Sequence, residues 1–149
     1  MKRIQFFYEE VYPRFSKQDL KKRLAFLLEE ENIAEYNLRY IFCSDEYLRA
    51  LHHKFSKKNT YTDTLSFDLS EEKLLEGEVY LSTDRIKENS KFYQVPLVQE
   101  IYRVAYHGTL HLCGYTDQTP RQRERMKKKE NYYMMFHVEH FKSIRSPNP

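Results

Sequence analysis

Apolar residues recur along this chain with two periods, and the switches between them mark out the elements. Ile4 to Tyr8 is an apolar and aromatic run that predicts a first strand. Leu20, Leu24, Leu27 and Leu28 follow at helical spacing, behind Ser16 as N-cap and Asp19 three residues on. That pattern predicts an amphipathic helix over roughly 17–31. From Tyr36 to Cys43 the period returns to two, with Leu38, Tyr40 and Phe42 alternating against Arg39, Ile41 and Cys43. Ser44 then caps a second helix carrying Leu48, Leu51 and Phe55.

The polar, basic stretch from Ser56 to Tyr61 reads as a loop. Thr62 to Leu69 alternates again, Leu65, Phe67 and Leu69 facing one way and Thr64, Ser66 and Asp68 the other, which predicts a half-buried strand. Glu76-Gly77 reads as a turn and Glu78 to Ser82 as a further strand. Thr83 to Tyr93 is helical by pattern. Pro96 suits the first turn of the next helix, whose apolar stripe is Leu97, Ile101, Val104, Ala105, Gly108 and Leu112. Thr119-Pro120-Arg121-Gln122 resembles a capping box with proline at the first helical position. It opens a terminal helix expected to reach about His140, with a disordered tail from Ser143 to Pro149. No repeat or linker interrupts this order. It predicts one α+β domain over 1–142, a small mixed sheet packed with about five helices.

Composition adds little to that outline. At 149 residues the chain can bury a real core, and 13 Tyr and 10 Phe with no Trp carry much of its apolar mass. A net charge of +3 permits nucleic-acid binding without arguing for it. Cys43 and Cys113 are too few for a disulfide framework and are expected as free thiols. No apolar run is long enough to span a membrane, and Met1-Lys-Arg-Ile-Gln lacks the apolar core of a signal peptide. A soluble, cytoplasmic protein is expected.

The candidate chemistry sits in His107-Gly108-Thr-Leu-His111-Leu-Cys-Gly114-Tyr-Thr-Asp117, which holds two of the chain's three glycines. Histidines at i and i+4 share one face of a helix and can grip a transition metal together. Gly114 can take the left-handed conformation that ends a helix, so the chain can turn back and bring Asp117 to the two imidazoles. The spacing His-x3-His-x5-Asp is that of zinc metallopeptidases of the metzincin type, with Asp in place of their third His. Three protein ligands leave a fourth position open, as in catalytic zinc sites. The residue after the first His is Glu, the general base, in those peptidases. Here it is Gly108, which cannot take a proton, so peptidase chemistry by that route is not expected. Two metal-free helix histidines, with Asp117 as a solvated loop acid, are the plainer alternative.

The string His-Gly-x-Leu-His-Leu-x-Gly-Tyr, from His107 to Tyr115, resembles the signature of the YbeY family. Thr62-Asp63-Thr64-Leu65-Ser66-Phe67 and Gly77-Glu78-Val79-Tyr80-Leu81-Ser82 resemble two of its strands, and Glu100, seven residues before His107, matches a family Glu. Asp117 aligns with the family's third ligand, a His, and Ser56 with a family Arg thought to engage RNA phosphate. Lys57 or Lys58 is the expected substitute for that Arg, as a point charge. The resemblance implies a zincin-like, metalloprotease-like single domain holding one zinc ion, or another divalent metal, on His107, His111 and Asp117. It implies a single-strand-specific, zinc-dependent endoribonuclease acting in ribosomal-RNA maturation at the small-subunit 3′ end and in ribosome quality control. Ribosomal RNA and the ribosomal small subunit would be its partners.

Asp63 and Ser66 are the catalytic candidates beside the metal. Lys57, Lys58, Arg121 and Arg125 are the candidate RNA contacts, each neutralised phosphate making binding salt-sensitive. The basic run that includes Arg121 and Arg125 reads equally as a solvated helix face, with Glu124 and Glu130 as partners. Two further functions stay open on the sequence. One is a metal-dependent hydrolase of another bond, such as a peptide, and the other a non-catalytic ribosome-assembly factor with a structural metal.

Overall fold

Strand and helix alternate along the first half of the chain, and three helices follow among the described residues. The order is β1 (Lys2–Tyr8), α1 (Lys17–Glu30), β2 (Glu35–Cys43), α2 (Asp45–Ser56), β3 (Thr64–Asp68), β4 (Leu74–Ser82), α3 (Thr83–Tyr93), α4 (Leu97–Leu112) and α5 (Pro120–Met134). The structure is a computed structural model and describes residues 1–56 and 62–136. Lys57, Lys58 and the tail from Ser143 lie outside the described residues.

The four strands form one sheet in the order β1-β2-β4-β3. β1, β2 and β4 run parallel, and β3 is an antiparallel edge strand on β4. Register explains which face is buried. Ile4 pairs with Leu38, Leu38 with Gly77, Tyr40 with Val79, and Phe42 with Leu81, so one face of the sheet is a continuous apolar surface. α1 and α4 complete the core on that face, and the Tyr40 hydroxyl meets Thr109 Oγ1 of α4 at 2.7 Å with both groups buried. The other face carries Arg39 between Glu76 and Glu78, at 3.3 and 3.5 Å. α2 packs there through Tyr47 on Tyr80 and Phe55 on Phe67.

The caps follow the sequence. Ser16 accepts from the Asp19 amide at 3.1 Å, and Thr119 with Gln122 forms a full capping box. Three expectations need correction. β4 begins at Leu74, so Gly77 lies inside a central strand and is no turn. A Cβ there would stand 2.7 Å from the Phe67 carbonyl oxygen and 3.0 Å from Leu112, so the glycine serves close approach. The polar side of β3 faces inward. Thr64 and Ser66 point at α4, while Phe67 meets the aromatic rings under α2. Finally, α5 ends at Met134, short of His140. There the Phe136 carbonyl accepts from the Arg23 guanidinium at 2.8 Å and its ring packs on Phe26, while residues 137–140 of the expected helix lie outside the described residues.

Candidate metal centre

His107 and His111 occupy adjacent turns near the end of α4. α4 ends as the spacing predicts: Cys113 is the C-cap and Gly114 adopts φ +107, a left-handed conformation natural only to glycine. The following turn brings Asp117 back over the histidines. Asp117 Oδ2 lies 3.2 Å from Nε2 of His107 and 3.2 Å from Nε2 of His111, and the two Nε2 atoms are 3.1 Å apart. This trio is the one potential metal-holding group among the described residues.

What holds the rings fixes their chemistry. His107 Nδ1 donates to Glu130 Oε2 at 2.6 Å, and His111 Nδ1 donates to the Tyr115 carbonyl at 2.9 Å. With both Nδ1 positions carrying the proton of a neutral imidazole, both Nε2 lone pairs face the Asp117 carboxylate. Two lone pairs and an anionic oxygen converging this closely repel one another unless a cation lies between them. Oriented Nε2 donors backed by a carboxylate and a backbone carbonyl are the usual setting of a metal-binding histidine. The donor set of two imidazoles and one carboxylate suits zinc or a similar divalent ion.

The electrostatics agree. Burial alone would lower the pKa of His107, but the bond to Glu130, with the charges of Glu130, Asp63 and Asp117, outweighs it and raises the value. A site that draws a proton onto an imidazole is a site built for positive charge. Burial raises Asp63 and Glu100 above the usual carboxylate range, and raises the Cys113 thiol to about 12. Cys113, a neighbour of the ligands in sequence, is therefore an inert thiol, and it stands outside the donor trio.

A cleft of about 570 Å³ opens beside the centre. Asp63, Asn89, Glu100, Arg103, His107, Asp117, Arg123, Lys127 and Glu130 are among its lining residues. The Asn89 amide lies between the half-buried Asp63 and the buried Glu100, donating to Asp63 at 3.3 Å and to Glu100 at 3.4 Å. Ser66 is committed elsewhere, its hydroxyl donating to the Gly108 carbonyl at 2.8 Å. Arg125 stacks over the Tyr115 ring, 5.1 Å from its centroid, and faces a separate, smaller cleft, while Arg121 is exposed at the start of α5. The cations in the main cleft are instead Arg103, Arg123 and Lys127.

The solvated-face reading of the basic run makes Glu130 a surface partner, and the structure does not. Glu130 is 8% exposed, bonded to His107 and paired with Arg103 at 3.3 Å. A signal for it exists. Met126, Glu130 and Tyr133 fall at i, i+4 and i+7 and are the buried residues of α5, so the acid stands in an apolar stripe. Gly108 also acquires a second meaning. A Cβ there would lie 2.5 Å from Val79 Cγ1, so close packing of α4 on β4 favours glycine at the position of the peptidase base, and any side chain there must push the two apart.

Residues 6–137 match the family described as Endoribonuclease YbeY. The chain is 37% identical over 137 residues to an Endoribonuclease YbeY of Christiangramia forsetii, covering 91% of this chain and 96% of that protein. An Endoribonuclease YbeY of Amoebophilus asiaticus is 42% identical over 110 residues, covering 73% of this chain and 75% of that one. Among solved structures, the fold is similar to the solution structure of TM1509 from Thermotoga maritima, with a TM-score of 0.63 and 26% identity, over 98% of this chain and 93% of that one.

Proposed function

This chain belongs to the endoribonuclease YbeY family, and we propose that it cuts single-stranded RNA at the centre formed by His107, His111 and Asp117. It is an endoribonuclease, a hydrolase. The finer reading is a zinc-dependent enzyme, one ion per chain, acting in the cytoplasm on ribosomal RNA of the small subunit. The observation that carries the metal assignment is the convergence of two Nε2 atoms and Asp117 Oδ2 within 3.2 Å, with both Nδ1 atoms already engaged.

His107, His111 and Asp117 would hold a zinc ion, which would supply a Lewis acid for a phosphoryl oxygen and lower the pKa of water. The chain's own residues do the rest. Glu130 and the Tyr115 carbonyl fix the tautomer and aim of the two histidines. Asp63 would carry a proton between RNA and solvent, a role supported by its position on the cleft wall and its bond from Asn89. Ser66 acts as a positioning residue, tying β3 to the backbone of α4 at Gly108. Arg123 and Lys127 offer the cleft its exposed positive charge for RNA phosphates.

The test is zinc content and RNA cleavage in parallel for wild type, His111→Ala and Asp117→Ala. About one zinc per chain and cleavage in wild type, with both lost in each variant, is the expected result. Full zinc content in Asp117→Ala would remove Asp117 from the ligand set. Cleavage that survives in His111→Ala would place the chemistry elsewhere.

A further inference from the structure

The cleft beside the metal centre has one wall that the chemistry above does not use. α3 ends at Tyr93, and the next residue, Gln94, takes φ +53, a left-handed conformation that is unfavourable for a residue with a side chain. This turn leaves Tyr93 lining the cleft while 61% exposed, with Phe92 77% exposed beside it. Two large aromatic rings so open to water at a cleft rim ask for an explanation. The rings meet perpendicularly, centroids 5.0 Å apart, so their contact occupies at most one face of either and braces Tyr93 from the side. Val95 lines the cleft next to Tyr93, and the exposed Arg123 and Lys127 of α5 line it too.

An aromatic face, an aliphatic neighbour and flanking cations are what a nucleotide of single-stranded RNA requires, the base stacking on the ring and the phosphates meeting the charges. We propose that Tyr93, braced by Phe92, is a base-stacking platform for a nucleotide beside the scissile phosphate, with Lys127 and Arg123 holding the adjoining backbone. This inference rests on the endoribonuclease reading and adds to it a subsite that favours unpaired nucleotides whatever their sequence, because every base has a π-face. A base locked in a duplex cannot reach such a ring.

The experiment is fluorescence-anisotropy binding of a labelled single-stranded RNA oligonucleotide to the metal-free protein, with cleavage of the same RNA by the zinc-loaded protein alongside. Tyr93→Ala is expected to weaken binding about 5- to 150-fold, the range measured for one stacked base, and Tyr93→Phe to restore it. Lys127→Ala is expected to reduce the salt dependence of binding by about one phosphate contact. Walking a single abasic nucleotide along the RNA supplies a signature of stacking. One position should weaken binding to wild type by the factor that Tyr93→Ala costs, and should weaken Tyr93→Ala no further. Wild-type binding and cleavage with undiminished affinity in Tyr93→Ala would overturn the platform and leave the endoribonuclease reading intact, as would a loss in Tyr93→Ala that no abasic position reproduces. RNA neither bound nor cut by wild type would overturn both.

Discussion

Replacing Gly108 by alanine tests whether packing, rather than chemistry, dictates the residue next to the first histidine. The added Cβ would lie 2.5 Å from Val79 Cγ1, 3.1 Å from Ser66 Oγ and 3.2 Å from Thr64 Oγ1. Carbon atoms rest about 3.5–4.0 Å apart, so α4 and the sheet must separate by roughly an ångström. Val79 cannot yield easily, being fully buried and stiff at its branched Cβ. Helix propensity alone favours alanine by about 1 kcal/mol. Overpacking of a filled core costs about 1–3 kcal/mol. The balance is a net loss of about 0–2 kcal/mol, read by urea unfolding of the metal-free protein. The geometric effect is larger. A shift of α4 strains the 2.6 Å bond from His107 to Glu130, so zinc affinity, measured by competition with a chromophoric chelator, should fall about 10-fold or more. RNA cleavage should fall about 100-fold, the usual consequence of a 1 Å misplacement. Val79→Ala in the same background should recover part of the zinc affinity. A Gly108→Ala protein that is about 1 kcal/mol more stable than wild type, with unchanged zinc affinity, would refute the reasoning.

Further predictions follow from the same geometry. Glu130→Gln should weaken zinc binding about 10- to 100-fold in the chelator assay while leaving the fold intact by circular dichroism, since it keeps an oxygen for His107 but removes the charge. In metal-free protein His107, Asp63 and Glu100 all have raised folded-state values, so the stability they contribute is present below their unfolded values and lost as pH rises through the folded ones. The melting temperature of metal-free protein should therefore fall as pH rises above the ordinary histidine value of about 6.5 and His107 gives up its proton, and Glu130→Gln should flatten that slope. Glu31 works in the opposite sense: burial would raise it, but the bonds from Tyr133, Tyr115 and Lys129 lower it. Its contribution is present above its unfolded value and lost as pH falls through the folded one, and Glu31→Gln should blunt acid destabilisation. Thr109 donates its hydroxyl hydrogen to the Ala105 carbonyl, so the Tyr40 hydroxyl is the donor to Thr109. Tyr40→Phe should cost about 0.5–1.5 kcal/mol in urea unfolding.

How much of this could be read from residues alone depended on distance along the chain. The two histidines were legible because helical spacing is a local rule, and Asp117 because a glycine turn lies between it and His111. Glu130 was not, because it reaches His107 from 23 residues away and sits among six basic residues that look like a solvated face. Only its place in the stripe with Met126 and Tyr133 distinguishes it. The sequence pattern makes Gly77 and Gly114 turns and puts Gly108 in the apolar stripe of α4. Gly114 is a turn as predicted, whereas Gly77 and Gly108 are glycines because another backbone or side chain needs the space, and no local pattern carries that information. On β3 alternation identified the strand but not which side faces inward, since the buried side carries hydroxyls that bond to α4 and β4.

The dependence of His107 on α5 sets the order in which the protein can mature. During synthesis the sheet, α1 and α4 can begin to assemble as soon as they emerge, since chains fold progressively from the N-terminus. His107, His111 and Asp117 are all present before Glu130 has been made. Until α5 docks, that imidazole has no fixed tautomer and its neighbours no enforced spacing, so the ion meets a loose set of donors that hold it weakly. Before α5 docks, the centre would hold an ion about 10- to 100-fold more weakly. Docking of the last described helix would then couple completion of the fold to completion of the site.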